Sequence, residues 1–218
     1  MVLGNKHVFW QALVVALIIF WTGLLLGTYF ERARIDEIQG FYFDSETEIF
    51  DLNLVSDILK GNETNCEIFA SQSILFADRI YAEALQLEKY DSSNKITEEA
   101  VSLHKRYDLL RVMLWKSIVE NKKTCKEKIN TVVYLYDYVD TPINEKAIQG
   151  TMSNFLVDLK KNKGSKIILI PIATDTGVKS LDISREIYKL EKVPVIFVNE
   201  EFKVESLDSL DKIEEHLN

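Results

Sequence analysis

Cysteine is nearly absent: Cys66 and Cys125 are the only two in 218 residues. That excludes a scaffold held by several disulfides and a metal site built from cysteine pairs. Three prolines and eight glycines exclude collagen-like and low-complexity repeats, and 11% aromatics speaks against disorder. Of the histidines, His7, His104 and His216 stand at no ligand spacing to either cysteine, so no metal or other cofactor is expected. No glycine-rich phosphate loop occurs, since Lys163-Gly164-Ser165-Lys166 lacks the spacing, and no Ser-His-Asp arrangement is supportable. The first 30 residues hold one lysine, no arginine and no acid. The remainder carries 25 basic against 34 acidic residues, a charge of −9, which makes a poor nucleic-acid binder.

What is present begins with the stretch Val8 to Phe30, which has no formally charged residue. As a helix it spans about 34 Å, enough for a hydrocarbon core of about 30 Å. Trp10 and Tyr29 lie near its two ends, where amphipathic rings prefer the interface. The run exceeds the 7–15 residues of a signal-peptide core, Gly27-Thr28-Tyr29-Phe30-Glu31 is a poor cleavage site, and no cysteine follows for a lipid anchor. Residues 1–30 are therefore read as a short tip and a retained single-pass anchor. Gly23 and Gly27 form a G-x-x-x-G pair through which two such helices could approach as a homodimer. Lys6 flanks one end of the span, Arg32 and Arg34 the other, so charge alone favours the orientation opposite to the one drawn below.

Residues 31–65 read as a juxtamembrane region. A charged continuation of the anchor helix is expected to stop near Gly40. Ser45 with Glu48 three positions later fits a capping box for a second helix over 46–60, ended by Gly61-Asn62. Asn62-Glu63-Thr64 is an N-glycosylation sequon. Two longer helices follow. The first, 67–90, aligns Phe69, Ser73, Phe76, Ile80, Ala84 and Leu87. The second, 97–121, is capped by Thr97 and aligns Leu103, Tyr107, Leu110, Leu114 and Ile118. His104, beside Lys105 and Arg106, is expected on the surface. The polar connection 91–95 makes the pair an antiparallel hairpin. The midpoint of Cys66 and Cys125 falls beside that connection, and the two arms run about 36 and 42 Å, so both cysteines arrive at the open end of a hairpin spanning 66–125. A disulfide is expected rather than two unrelated free thiols, and a stable one implies an oxidising compartment. This sets the amino terminus in the cytoplasm and the remainder outside it, at the cell membrane.

From residue 131 the pattern alternates between strands (131–139, 166–173, 193–198 and 202–204) and helices (144–161, 178–190 and 206–217), in the order βαβαββα. Pro171 marks an edge or strand end. Asp137, Asp140 and Asp175 fall at the carboxyl ends of strands, where ligands tend to sit in open α/β sheets, although three loop acids are more often a solvated rim.

This order, with Val193-Pro194 opening the third strand, resembles the thioredoxin-like fold over residues 131–218, about 40% of the chain. The helical hairpin ahead of it resembles no family. The resemblance implies a cis-proline at Pro194 and a redox Cys-x-x-Cys after the first strand. The stretch here is Thr141-Pro142-Ile143-Asn144, so Thr141 and Asn144 mark a degenerate active-site position, and the acid that redox members often bury in the first strand is replaced by Leu135. The expected architecture is a single-pass membrane helix, an α-helical hairpin and an α/β thioredoxin-like domain without its dithiol. The expected function is non-enzymatic: an extracytoplasmic interaction or scaffold protein holding another envelope protein or peptide segment near Pro194 and Thr141. The alternative is a thiol-disulfide oxidoreductase or folding factor using Cys66 and Cys125 as an exchangeable pair.

Overall fold

The computed structural model describes residues 5–59, 66–90, 98–123, 125 and 129–217. It divides into two units, Met1–Phe43 and Asp44–Asn218. The sequon at Asn62, the helix end at Gly61, the Thr97 cap and the connection 91–95 lie outside the described residues.

In the first unit, Val8–Phe30 is helical throughout, has no buried residue and is long and apolar enough to cross a membrane. A Cβ placed on Gly23 or Gly27 meets nothing, so both glycines lie open on the helix surface.

Helix α1 runs from Asn5 to Leu59 without the expected break. Glycine inside a helix costs only about 0.5–1 kcal/mol relative to alanine, and Gly40 is carried through. Ser45 does not cap a new helix. Its hydroxyl donates to Glu83 Oε2 at 2.9 Å, and Glu83 in turn accepts from Tyr107. Ser45, Glu83 and Tyr107 thus tie α1 to α2 (Cys66–Tyr90) and α3 (Glu98–Lys122). Around them Ile49, Phe69, Phe76, Leu110, Leu114 and Ile118 are fully buried, each contributing about 1.5–3 kcal/mol of transfer free energy.

The second half holds β1 (Asn130–Tyr136), α4 (Ile143–Lys163), β2 (Ile167–Ala173), α5 (Lys179–Tyr188), β3 (Val195–Val198) and β4 (Phe202–Val204), closed by 3-10 turns over Leu207–His216. The sequence pattern predicts an α-helix over this last segment, but its Ser206 hydroxyl makes no cap bond to the backbone and meets the Ser209 hydroxyl at 3.3 Å.

The sheet is mixed, with strand order β2-β1-β3-β4. β1 and β2 are parallel, with Val132 opposite Leu169; β3 is antiparallel to β1 itself and to β4. Alternation gives the sheet two apolar faces. Val132, Tyr134, Leu169, Ile196 and Val198 face α4 and the closing turns, meeting Met152, Leu156, Leu210 and Ile213. On the other face, Phe197 meets Trp115 of α3 and Tyr188 of α5, with ring centroids 6.3 and 5.3 Å away. Val198 pairs with Phe202, so β3 and β4 are joined through Asn199, Glu200 and Glu201; the first two are at positive φ (51° and 61°), and the Glu201 amide donates to the Val198 carbonyl at 3.1 Å to close the turn.

β2 is an edge strand, as Pro171 suggests, but it is covered. α2 and α3 both pack along it. Tyr81 of α2 reaches the α4 side of the sheet, where Lys160 pairs with Asp78 at 2.7 Å, while Trp115 of α3 reaches the other face. The hairpin therefore straddles the sheet edge within one compact unit.

Candidate functional site

The ends of β1 and β2 carry two loops, 137–142 and 174–178, side by side. Parallel strands release their following loops at the same sheet edge, the usual place for a site in such sheets. β3 runs the other way and pairs Val195 with Leu135, so Pro194 enters at this same edge. The Val193-Pro194 bond is cis, and Pro194 is buried.

Two of the three acids at this edge, Asp137 and Asp175, are committed to the chain itself, while Asp140 is exposed. Asp175 accepts from three consecutive backbone amides, Tyr138 at 2.8 Å, Val139 at 2.6 Å and Asp140 at 3.1 Å. A carboxylate across such a run of N–H groups clamps a loop. Asp137 Oδ1 accepts from the Thr174 hydroxyl at 2.5 Å. The Thr141 hydroxyl donates to the Asp137 carbonyl at 2.7 Å, closing a turn at the position where the thioredoxin resemblance would put a cysteine. Asn144, in the first turn of α4, is exposed. Among the described residues no group of three His, Cys, Asp or Glu stands close enough to hold a metal ion. Beside Thr141 the chain presents Pro142 and Ile143 outward, with Ile143 90% exposed.

Behind the loops lies a polar layer on the sheet-facing side of α3. Asp108 is fully buried. Its Oδ1 accepts from the Ala173 amide at 3.1 Å, on the side of β2 away from β1, and its Oδ2 accepts from the Thr176 hydroxyl at 3.0 Å. Arg111, also buried, approaches Oδ1 at 3.3 Å. Burial pushes the Asp108 carboxyl up to about 6, although Arg111 and the two other donors oppose the shift. His104 is not on the surface as expected. It is buried, with its ring stacked on Tyr138 at 3.7 Å. Helix spacing explains the group: 104, 108, 111 and 115 share one face of α3, and that face packs on β2 and the loop after β1.

The disulfide stands at the other end of β1. Cys66 and Cys125 are bonded, with Cα atoms 5.6 Å apart, and both are buried. Cys125 donates its amide to Asn121 at 2.7 Å, close to Lys122, whose ammonium binds the Thr131 hydroxyl at 2.9 Å and Glu200 Oε2 at 2.8 Å. Glu200 Oε1 also accepts from the Trp115 indole at 3.0 Å and the Thr131 hydroxyl at 2.6 Å. Two sites are therefore separated by β1, a strand about 20 Å long. One holds Thr141, Asn144 and Pro194, and the other holds the cysteines.

Of the expected site residues, Thr141, Asn144 and Pro194 come together at one sheet end, and Asp137 and Asp175 serve there as loop fasteners. Asp108, Arg111 and Glu200 were not singled out from sequence. For Asp108 and Arg111 the signal was that the middle of α3 is apolar on more than one side, with Val112, Met113 and Trp115 beside the Leu110–Leu114–Ile118 face; Glu200, in the β3–β4 turn, carried none. Such a helix is packed on two sides, so polar residues on it are buried and partnered. No protein-family model matches this chain, and no curated protein or solved structure matches it.

Proposed function

We propose that the chain is a membrane-anchored interaction or scaffold protein whose carboxyl-terminal half is a thioredoxin-like module without redox chemistry. The observation that carries this reading is the state of its sulfur. The only two cysteines are bonded to each other, buried, and at the far end of β1 from Thr141 and Asn144. Thiol-disulfide exchange needs an exposed thiolate of lowered pKa, and the Thr141 hydroxyl is held by its own loop. The strand order, the parallel first pair, the antiparallel β3–β4 hairpin and the cis bond before Pro194 support the module assignment. Since Pro194 is buried, the surface offered to a partner segment at this edge is Pro142 and Ile143. The disulfide in a chain read as anchored supports an extracytoplasmic side for the unit Asp44–Asn218.

The test is an exchange assay on the full chain in detergent micelles, with insulin as the disulfide substrate. No turnover above the detergent blank is expected. Turnover that disappears in Cys66→Ser would overturn the proposal and put an oxidoreductase using Cys66 and Cys125 in its place.

A further inference from the structure

The stretch of α1 from 44 to 58 has two apolar faces where a helix lying on a protein surface needs one. Ile49, Leu52 and Ser56 are buried against the rest of the unit. Phe50, Leu54 and Ile58, spaced by four, are 54%, 60% and 75% exposed. At 100° per residue this second stripe lies nearly opposite the first. It is bordered along one side by Glu46 and Asp57 and along the other by Asp44 and Asp51. Glu48 turns toward Arg79 of α2. No lysine or arginine occurs anywhere in 44–58. An outward apolar stripe with acids on both flanks is the surface of a helix that receives another segment.

We propose that this face docks a basic amphipathic segment of a partner protein, its apolar side chains on Phe50, Leu54 and Ile58 and its lysines or arginines against the acid rows. Charge selects this occupant. A second copy meeting the same face would bring acid rows against acid rows, because an isologous contact repeats the same patch on both sides. An anionic lipid surface repels the same rows. A basic segment is matched on both flanks. The proposal names a partner class for the interaction-protein reading and rests on that reading for the existence of a partner. It does not depend on the thioredoxin-like assignment or on the state of the cysteines.

The test places the full chain in phosphatidylcholine nanodiscs, with empty nanodiscs as blank. The probe is a fluorescent 14-residue leucine/lysine peptide of helical period, followed by anisotropy. Saturable binding above the blank is expected, weakened at least tenfold in Phe50→Gln/Leu54→Gln and falling with added salt and in Asp44→Asn/Asp51→Asn. Both pairs are surface substitutions, and circular dichroism of each variant checks that its helix content is unchanged. A leucine/glutamate peptide of the same pattern should not bind. Equal binding by the wild type and Phe50→Gln/Leu54→Gln, equal binding of the glutamate peptide, or no binding above the blank would each overturn the proposal. So would a Leu54→Cys chain that crosslinks to itself in phosphatidylcholine membranes, which would make the occupant a second copy. None of these failures alters the insulin result, so the two readings fall separately.

Discussion

Replacing Arg111 by methionine keeps the bulk of the side chain and removes its charge, which leaves Asp108 buried with the Ala173 amide and the Thr176 hydroxyl as its remaining donors. The side chains of Arg111 and Asp108 are 3% and 0% exposed, so water does not take the place of the lost partner. Removing one member of a buried pair costs about 3–5 kcal/mol, and that is the loss expected for Arg111→Met at pH 8. The pH dependence is the sharper signature. Asp108 titrates near 6 in the fold against an ordinary 3.8, so the folded chain binds more protons than the unfolded one between those values. Stability from this group is full below about pH 4 and is lost as pH rises through 6, at up to about 1.4 kcal/mol per pH unit. In the wild type the loss ends near pH 6. Without Arg111, the cation that lowers it, the Asp108 carboxyl rises further, so Arg111→Met should go on losing stability above pH 6. The penalty should therefore be smaller at pH 5 than at pH 8. Adding Asp108→Leu should recover at least about 2 kcal/mol at pH 8 and flatten the profile, since the uncompensated charge is then gone. The assay is urea unfolding of the full chain in micelles at pH 5, 6, 7 and 8. It is followed by fluorescence of Trp115, the one tryptophan outside the apolar segment. A penalty under 1 kcal/mol that does not vary with pH would refute the account of this pair.

Three further outcomes are expected by the same urea assay. Glu200→Ala removes the acceptor for Trp115, Thr131 and Lys122 and should cost about 2–4 kcal/mol. Glu200→Gly loses the same bonds but relieves a left-handed backbone (φ 61°), so it should be more stable than Glu200→Ala by roughly 1 kcal/mol, and the reverse order would refute the role given to the turn. Reducing the Cys66–Cys125 bond opens a 59-residue separation and should lower stability by roughly 4 kcal/mol with little loss of helix; an unchanged midpoint in dithiothreitol would show that the bridge does not stabilise the unit.

The strands were legible because apolar runs such as 131–136 and 167–173 are too short for helices of that burial and are bounded by polar turns. The cysteine pair was legible because two helical arms of nearly equal length must return to the same end. What stayed hidden was long-range. Nothing local tells Asp108 that it will meet the amide of Ala173, or Asp175 that it will fasten residues 138–140. Propensity misled at Gly40 and Ser45, where a weak helix former and a capping residue are held in one helix, Ser45 by Glu83 from α2. It misled again at His104, whose charged sequence neighbours pointed to solvent while its helical face pointed to Tyr138.

The covering of β2 by α2 and α3 also limits how this sheet can be extended. A bare edge strand is a template on which any extended chain, including a neighbouring copy, can add itself. At β2 the helical hairpin occupies that approach, and the Asp108 carboxylate already holds the Ala173 amide that an incoming strand would claim. Growth of the sheet is left to β4, which is three residues long and carries Lys203 at its centre, its ammonium on the Lys189 carbonyl. The hairpin therefore acts as a guard against edge-to-edge polymerisation. Truncations that remove it while keeping residues 130–217 should aggregate through β2.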